Sequence, residues 1–372
     1  MSTSILKPCF GILGIALLMI SCETENFINE DEIDNTEEPE VSELYFPPSN
    51  SDEWETVSPA TLEWNLAQET DLKSFLEESN TEGFIILKDG KLAVEWYFGD
   101  FTQDSNHTWN SAAKTLTAMT VGIAQQEGYL NLNESSSKYL GNGWSSMTVA
   151  QENAIRIKHH LSMTTGLDYD VEDTFCTDAD CLFYKNQPND EWYYHNAPYT
   201  LLDQVVSEAV EMEFKSYFNS KIRDNIGMQG QWVKFGFNNL YISNTRSMAR
   251  FGLLCLNKGN WGFVNVLSDK TFFEEMTNTS QELNPSYGYL WWLNGKSSYK
   301  IPGSTAQNNG PLIPNAPTDL VAGLGANDQK LYVVPSQNLV VVRVGEDSGE
   351  SLLGPSGYDD ELWQKLNTFF NN

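Results

Sequence analysis

Ser111-Ala112-Ala113-Lys114-Thr115-Leu116-Thr117-Ala118-Met119-Thr120-Val121-Gly122-Ile123-Ala124-Gln125-Gln126 is apolar on nearly every side. A surface helix carries one apolar stripe, whereas a segment that is apolar all round belongs inside a core. The pattern therefore predicts a buried helix over residues 111–126 with a serine and a lysine at its start. Three residues apart, Ser111 and Lys114 lie one helical turn from each other on the same face. Burial penalises an ammonium, so such a lysine can lose its proton near neutral pH and act as a base on the serine hydroxyl. The serine also lies at the helix N-terminus, where free backbone N–H groups favour an oxyanion.

On the N-terminal side of this helix, residues 84–87 and 91–98 flank Asp89-Gly90, a strong hairpin signal. On its C-terminal side, residues 127–260 read as mostly helical, interrupted by polar loops. Strands return at 287–293, 320–324, 330–334 and 339–344, and a last helix is expected near 359–370. Strands at both ends of the chain around a helical middle imply an α/β (α+β) domain. Its antiparallel sheet would be built from N- and C-terminal strands and flanked by helices, with a mainly helical insert at about 127–260.

The 372 residues carry 51 Asp and Glu against 22 Lys and Arg, a formal net charge of −29. So acidic a surface repels phosphate backbones, which argues against a nucleic-acid partner. The charge is uneven: residues 23–56 hold 13 acids and no Lys or Arg, and the remainder from 57 onward has a balance of −17. The first stretch reads as an acidic flexible tether preceding a domain over 57–372. Ahead of it, Lys7, an apolar run from Cys9 to Ile20, and Ser21-Cys22 have the order of a secretory signal, too short to span a bilayer. Met19-Ile20-Ser21-Cys22 resembles a bacterial lipoprotein processing box. Residues 1–22 are thus expected to be a signal peptide, leaving an exported protein, periplasmic or at the cell surface, held by a lipid on Cys22. Cys176 and Cys181 are close enough to close a small disulfide loop in an oxidising compartment. Cys255, within an apolar run, reads as an inert core thiol.

The sequence lacks G-x-S-x-G, H-E-x-x-H and glycine-rich phosphate loops, and His107, His159, His160 and His195 form no metal-ligand pattern. His159 and His160 read as structural. Ser-x-x-Lys occurs at Ser4, Ser111, Ser135 and Ser297, but only Ser111 introduces a long apolar helix. Tyr-x-Asn occurs more than once, Tyr184, Tyr194 and Tyr217 among its positions; Tyr194-His195-Asn196 is preferred because a turn at Ala197-Pro198 leads directly into a helix. A phenolate near a lysine can relay protons, and an Asn amide can hold a substrate carbonyl.

Order and context together resemble the penicillin-recognising serine hydrolases, a family that spans class C β-lactamases, D-alanyl-D-alanine peptidases, and related esterases and amide hydrolases. The resemblance covers roughly residues 60–370. It includes Ile157-Lys158-His159-His160-Leu161-Ser162-Met163-Thr164-Thr165-Gly166-Leu167, the run 243–256 and the closing strands over 331–343. By position it implies Ser111 as acylated nucleophile, Lys114 as its base, Tyr194 sharing the proton transfer and Asn196 holding substrate. It also implies an oxyanion hole made by the N–H of Ser111 and one from the strand near Gln329. The third family motif, usually Lys or His followed two residues later by Gly, falls on Ala326-Asn327-Asp328. Ala326, Asn327 and Gln329 are accordingly substrate-side candidates, but the motif lacks a cation for a substrate carboxylate. Asp328 in place of Gly is expected to crowd the strand edge. An esterase or small-amide hydrolase acting on a neutral or cationic acyl substrate, without metal or cofactor, is favoured. A β-lactamase or D-alanyl-D-alanine carboxypeptidase and a non-catalytic ligand-binding lipoprotein remain as alternatives. His195 is a candidate pocket residue. Trp109, Trp192, Trp291 and Trp292 are candidates for an aromatic wall, though each would serve equally as core.

Overall fold

The structure, a computed structural model, describes residues 44–349 and 354–371. The leader, Cys22 and the first part of the acidic stretch lie outside the described residues. Helix α1 (Glu69–Glu78) leads into the expected hairpin, β1 (Thr81–Lys88) and β2 (Lys91–Tyr97), which turns at Asp89-Gly90. The short strand β3 (His107–Thr108) and a single turn (Asn110–Ala113) precede α2 (Lys114–Gln126). Every residue of α2 from Lys114 to Ala124 is buried, as its all-round apolar pattern requires.

The middle of the chain contains α3 (Asn196–Val210), then a hairpin of β4 (Gln231–Phe235) and β5 (Asn238–Ser243), then α4 (Thr245–Leu256). That hairpin corrects the reading of 127–260 as mostly helical. It pairs with β3 in a three-stranded sheet ordered β3-β5-β4. Its signal is an aromatic-rich run broken by Gly236, which turns with φ +59.

The closing elements are β6 (Trp292–Leu293), β7 (Val321–Gly325), β8 (Gln329–Val334), β9 (Leu339–Gly345) and α5 (Gly357–Phe370). The strand expected over 287–293 shrinks to its last two residues, because Leu290 adopts a left-handed φ of +61. The main sheet is ordered β2-β1-β9-β8-β7-β6 and is antiparallel throughout, so the two chain ends meet where β1 pairs with β9. Helix α4 lies directly on it: a Cβ on Gly252 would stand 2.5 Å from Val340 Cγ1 and 2.8 Å from Leu331 Cδ1. Only glycine permits that approach.

Residues 44–56, read from sequence as the end of the tether, are packed on the body. Phe46 meets Trp261 edge-on, Trp54 Nε1 donates to the Gly90 carbonyl at 2.8 Å, and the Arg250 guanidinium donates to the carbonyls of Pro48 and Ser51. Apolar side chains among the acids supply the burial that holds this part of the stretch down.

Candidate active site

The turn before Ser111 is shaped by a residue that the sequence reading passed over. Asn110 has φ +48, a left-handed conformation that Asn tolerates better than most residues. Its Oδ1 accepts from Thr108 Oγ1 at 3.2 Å, and its Nδ2 donates to the Ala326 carbonyl at 2.8 Å. One side chain thus fixes the turn before Ser111 and ties it to the end of β7. A Cβ on Gly325 would lie 2.4 Å from the Trp109 carbonyl oxygen, so glycine lets this strand abut the turn.

Lys114 Nζ donates to Ser111 Oγ at 2.9 Å and to Asn196 Oδ1 at 2.9 Å. Tyr194 lines the same cavity as Ser111, near enough for the serine to act on its phenol. The structure therefore brings together four residues, two from each side of a span of some 80 residues. Lys114 is 4% exposed, and its ammonium stands over the rings of Tyr199 at 4.3 Å and Tyr194 at 4.9 Å. Burial alone pushes its pKa down to about 7. Burial drives Tyr194 the other way, raising it well above the usual phenol range against the opposing effect of Ser111. The phenolate form is thereby disfavoured. Burial thus favours the neutral amine on Lys114 and the protonated phenol on Tyr194.

These groups open on a cavity of about 350 Å³. One wall carries Thr174, Phe175, Tyr193, Tyr194 and Tyr199, and the facing hairpin supplies Asn238, Asn239 and Leu240. Pro302, Gly303, Ala326 and Gly354 complete the lining, and Lys114 is its sole charged residue among the described residues. Thr174, Phe175, Tyr199 and the 238–240 wall escaped the sequence reading, since no local pattern distinguishes them from loop or core.

Four expectations are corrected here. Of the third-motif candidates, only Ala326 lines the cavity. Asn327 and Asp328 both have φ +56 and form the tight turn between β7 and β8, a role that Asn and Asp fill readily. Gln329 is fully buried behind that turn, with Nε2 donating to the carbonyls of Asn327 and Gly345 at 2.8 and 2.6 Å. Asp328 does not crowd the substrate edge: its carboxylate is buried away from the cavity, 3.0 Å from Lys330 Nζ, and accepts from Ser348 and Ser356. The four tryptophans are all core. Trp292 backs the site from behind, its ring stacked on Tyr194 at 5.8 Å. His195 is buried in a separate small space beside Met163, Gly166 and Glu191, its pKa lowered to about 4 by burial against the pull of Asp168. His159 and His160 are structural as expected, with His160 held between Ser136 Oγ and the Pro198 carbonyl. The Cys176–Cys181 disulfide is present and Cys255 is a buried free thiol.

A family model described as β-lactamase matches residues 83–351. A 6-aminohexanoate-dimer hydrolase from Paenarthrobacter ureafaciens is 24% identical over 315 residues, 74% of each chain. Among solved structures, a candidate β-lactamase from Bacteroides dorei DSM 17855 aligns over 83% of this chain and 100% of its own, with a TM-score of 0.65 and 14% identity. A candidate 6-aminohexanoate-dimer hydrolase from Bacillus anthracis aligns over 88% of this chain and 89% of its own, with a TM-score of 0.64 and 18% identity.

Proposed function

The chain belongs to the β-lactamase family of serine hydrolases, and we propose that it cleaves a neutral amide, or the corresponding ester, through an acyl-enzyme on Ser111. The observation that carries this reading is a buried lysine 2.9 Å from the serine oxygen, with its pKa brought to about 7 by burial. In its neutral form Lys114 takes the Ser111 proton as Oγ attacks the carbonyl carbon. The proton then passes by way of Lys114 and the Tyr194 hydroxyl to the leaving nitrogen or oxygen. Water completes the cycle by the reverse relay, releasing the acid. In this reading the developing oxyanion is held by the backbone N–H of Ser111 and one from the strand end at Ala326. Asn196 has its Oδ1 engaged by Lys114, which leaves its Nδ2 to meet a substrate carbonyl.

An uncharged substrate is favoured because Lys114 is the sole charged residue lining the cavity among the described residues, and the third motif offers no cation for a carboxylate. The amide preference draws on the similarity to an enzyme named for an amide dimer. Export with a lipid on Cys22 is part of the same proposal, and the Cys176–Cys181 bridge supports it, since such bonds persist in oxidising compartments. The test is to incubate the protein separately with a fluorophosphonate and a fluorescent penicillin and map the added mass. Label on Ser111 from the first reagent alone is the expected result. Label from the penicillin would move the assignment to β-lactam chemistry, and no label from either would remove Ser111 as nucleophile.

A further inference from the structure

Phe175 is an aromatic side chain left 37% exposed at the edge of the catalytic cavity, while its neighbour Cys176 is buried. Its backbone is fixed on both sides. The Thr174 carbonyl accepts from the N–H of Ala197 at 3.1 Å, one residue past Asn196, and the Phe175 N–H donates to Asp173 Oδ1 at 2.9 Å. Cys176 follows immediately and closes a ring with Cys181. That ring is anchored in turn: Ser146 Oγ donates to the Ala179 carbonyl at 2.7 Å, and Leu182 is buried in a small cluster with Trp144, Ile155 and Leu201. Tyr193, beside Phe175 on the same wall, is held by stacking on Tyr169 at 3.6 Å. A rigid apolar surface kept out of the core and turned to a cavity is a means of binding apolar substrate.

We infer that Phe175 is a specificity residue, binding an uncharged apolar chain next to the scissile bond, and that the Cys176–Cys181 ring sets its position. The inference rests on the Ser111 reading for which bond is cut, but not for what binds. A methylene chain laid against fixed rings gains affinity with each carbon buried. A loop released from its ring would order itself on binding and lose part of that gain. Reduction of the bridge is therefore expected to flatten chain-length selectivity.

The test measures binding without turnover. Butanamide and octanamide are titrated calorimetrically into the Ser111→Ala protein, and again with Phe175→Ala, Phe175→Leu or Cys176→Ser/Cys181→Ser added. Octanamide is expected to bind at least about ten-fold more tightly than butanamide in the parent. That ratio should fall to about two-fold with Phe175→Ala, recover in part with Phe175→Leu, and fall to an intermediate value in the double serine variant. An unchanged ratio in Phe175→Ala overturns the specificity role, and an unchanged ratio in the double serine variant overturns the role of the ring. Hydrolysis of p-nitrophenyl butyrate by the unmutated protein is measured alongside. Turnover with a ratio indifferent to Phe175 sinks this inference alone, whereas a Phe175-dependent ratio without turnover sinks the catalytic reading alone.

Discussion

Among the described residues two lysines are buried, Lys114 at 4% exposure and Lys330 at 0%, and their surroundings are opposites. Lys330, on β8, is 3.0 Å from Asp328 Oδ1 and 2.8 Å from Asp359 Oδ2, and donates to the Gly354 carbonyl at 3.1 Å. Burial by itself would raise the Asp328 carboxyl, but the Lys330 ammonium and the Ser348 and Ser356 hydroxyls hold it below the usual range. Lys114 meets a hydroxyl, an amide oxygen and two aromatic rings, and burial alone governs its proton. One lysine is paired with two carboxylates and fastens the hairpin turn to α5 beside the cavity. The other is a charge made costly, and so suited to the base role proposed for it. Burial supplies the desolvation in both places; the presence or absence of a carboxylate decides what it is used for.

The contrast is broken most directly by replacing each lysine with methionine. Lys114→Met should lower kcat/KM for a p-nitrophenyl ester by about 10²–10⁴-fold, while the melting temperature holds or rises because a desolvated charge has gone. A variant that keeps near wild-type turnover removes Lys114 from the mechanism. Lys330→Met should do the reverse, since it strands two carboxylates in the interior at a cost of about 3–5 kcal/mol. Denaturant unfolding checks this, and a loss under about 1 kcal/mol would mean that the cluster is not holding the turn.

Titration sharpens the comparison further. The active form of Lys114 is the neutral amine, so kcat/KM should climb about ten-fold per pH unit below about 7 and level off above it. A profile flat from pH 5 to 8 contradicts the assignment. The linked stability has a definite sign. Between about 7 and the ordinary value of 10.5 the unfolded chain holds a proton that the folded one has released, so this group makes the fold more stable as pH rises through that window.

The smallest expected effect concerns a carboxyl that mirrors Lys114. Asp203 accepts from Asn239 Nδ2 at 2.7 Å, while its Oδ1 is buried without a hydrogen-bond partner among the described residues. Burial pushes its pKa up from 3.8 to about 7, against the pull of Asn239 and Lys234. A folded-state pKa raised in this way contributes stability below pH 3.8 that is lost as pH rises through about 7. Asp203→Asn should therefore reduce the difference in melting temperature between pH 5 and pH 8. An unchanged difference would show that the group does not titrate in that range.

Much of the candidate site was legible because its signals are local. The all-round apolar run of 111–126 can be satisfied only by burial, and a serine and lysine one turn apart on a helix must share a face. Asp89-Gly90 between two apolar runs allowed one outcome, and the strands near both termini could pair only by closing the chain on itself. The third motif misled because Asn327 and Asp328 were read for their functional groups, when their tolerance of positive φ had placed them in a turn. Asn110 carried the same kind of signal one residue before Ser111.

What tertiary structure alone decided is what stands opposite those residues. Phe175, Asn238, Asn239, Pro302, Gly303 and the strand end at Ala326 come from separate segments that meet only at the cavity. The same holds for the two lysines, since no sequence pattern states that Asp359 reaches Lys330 while, among the described residues, no carboxylate reaches Lys114. Helix and hairpin formation depend on residues a few places apart, so sequence order determines them. Desolvation and charge pairing depend on everything within a few ångströms in space, and only the folded chain sets that neighbourhood.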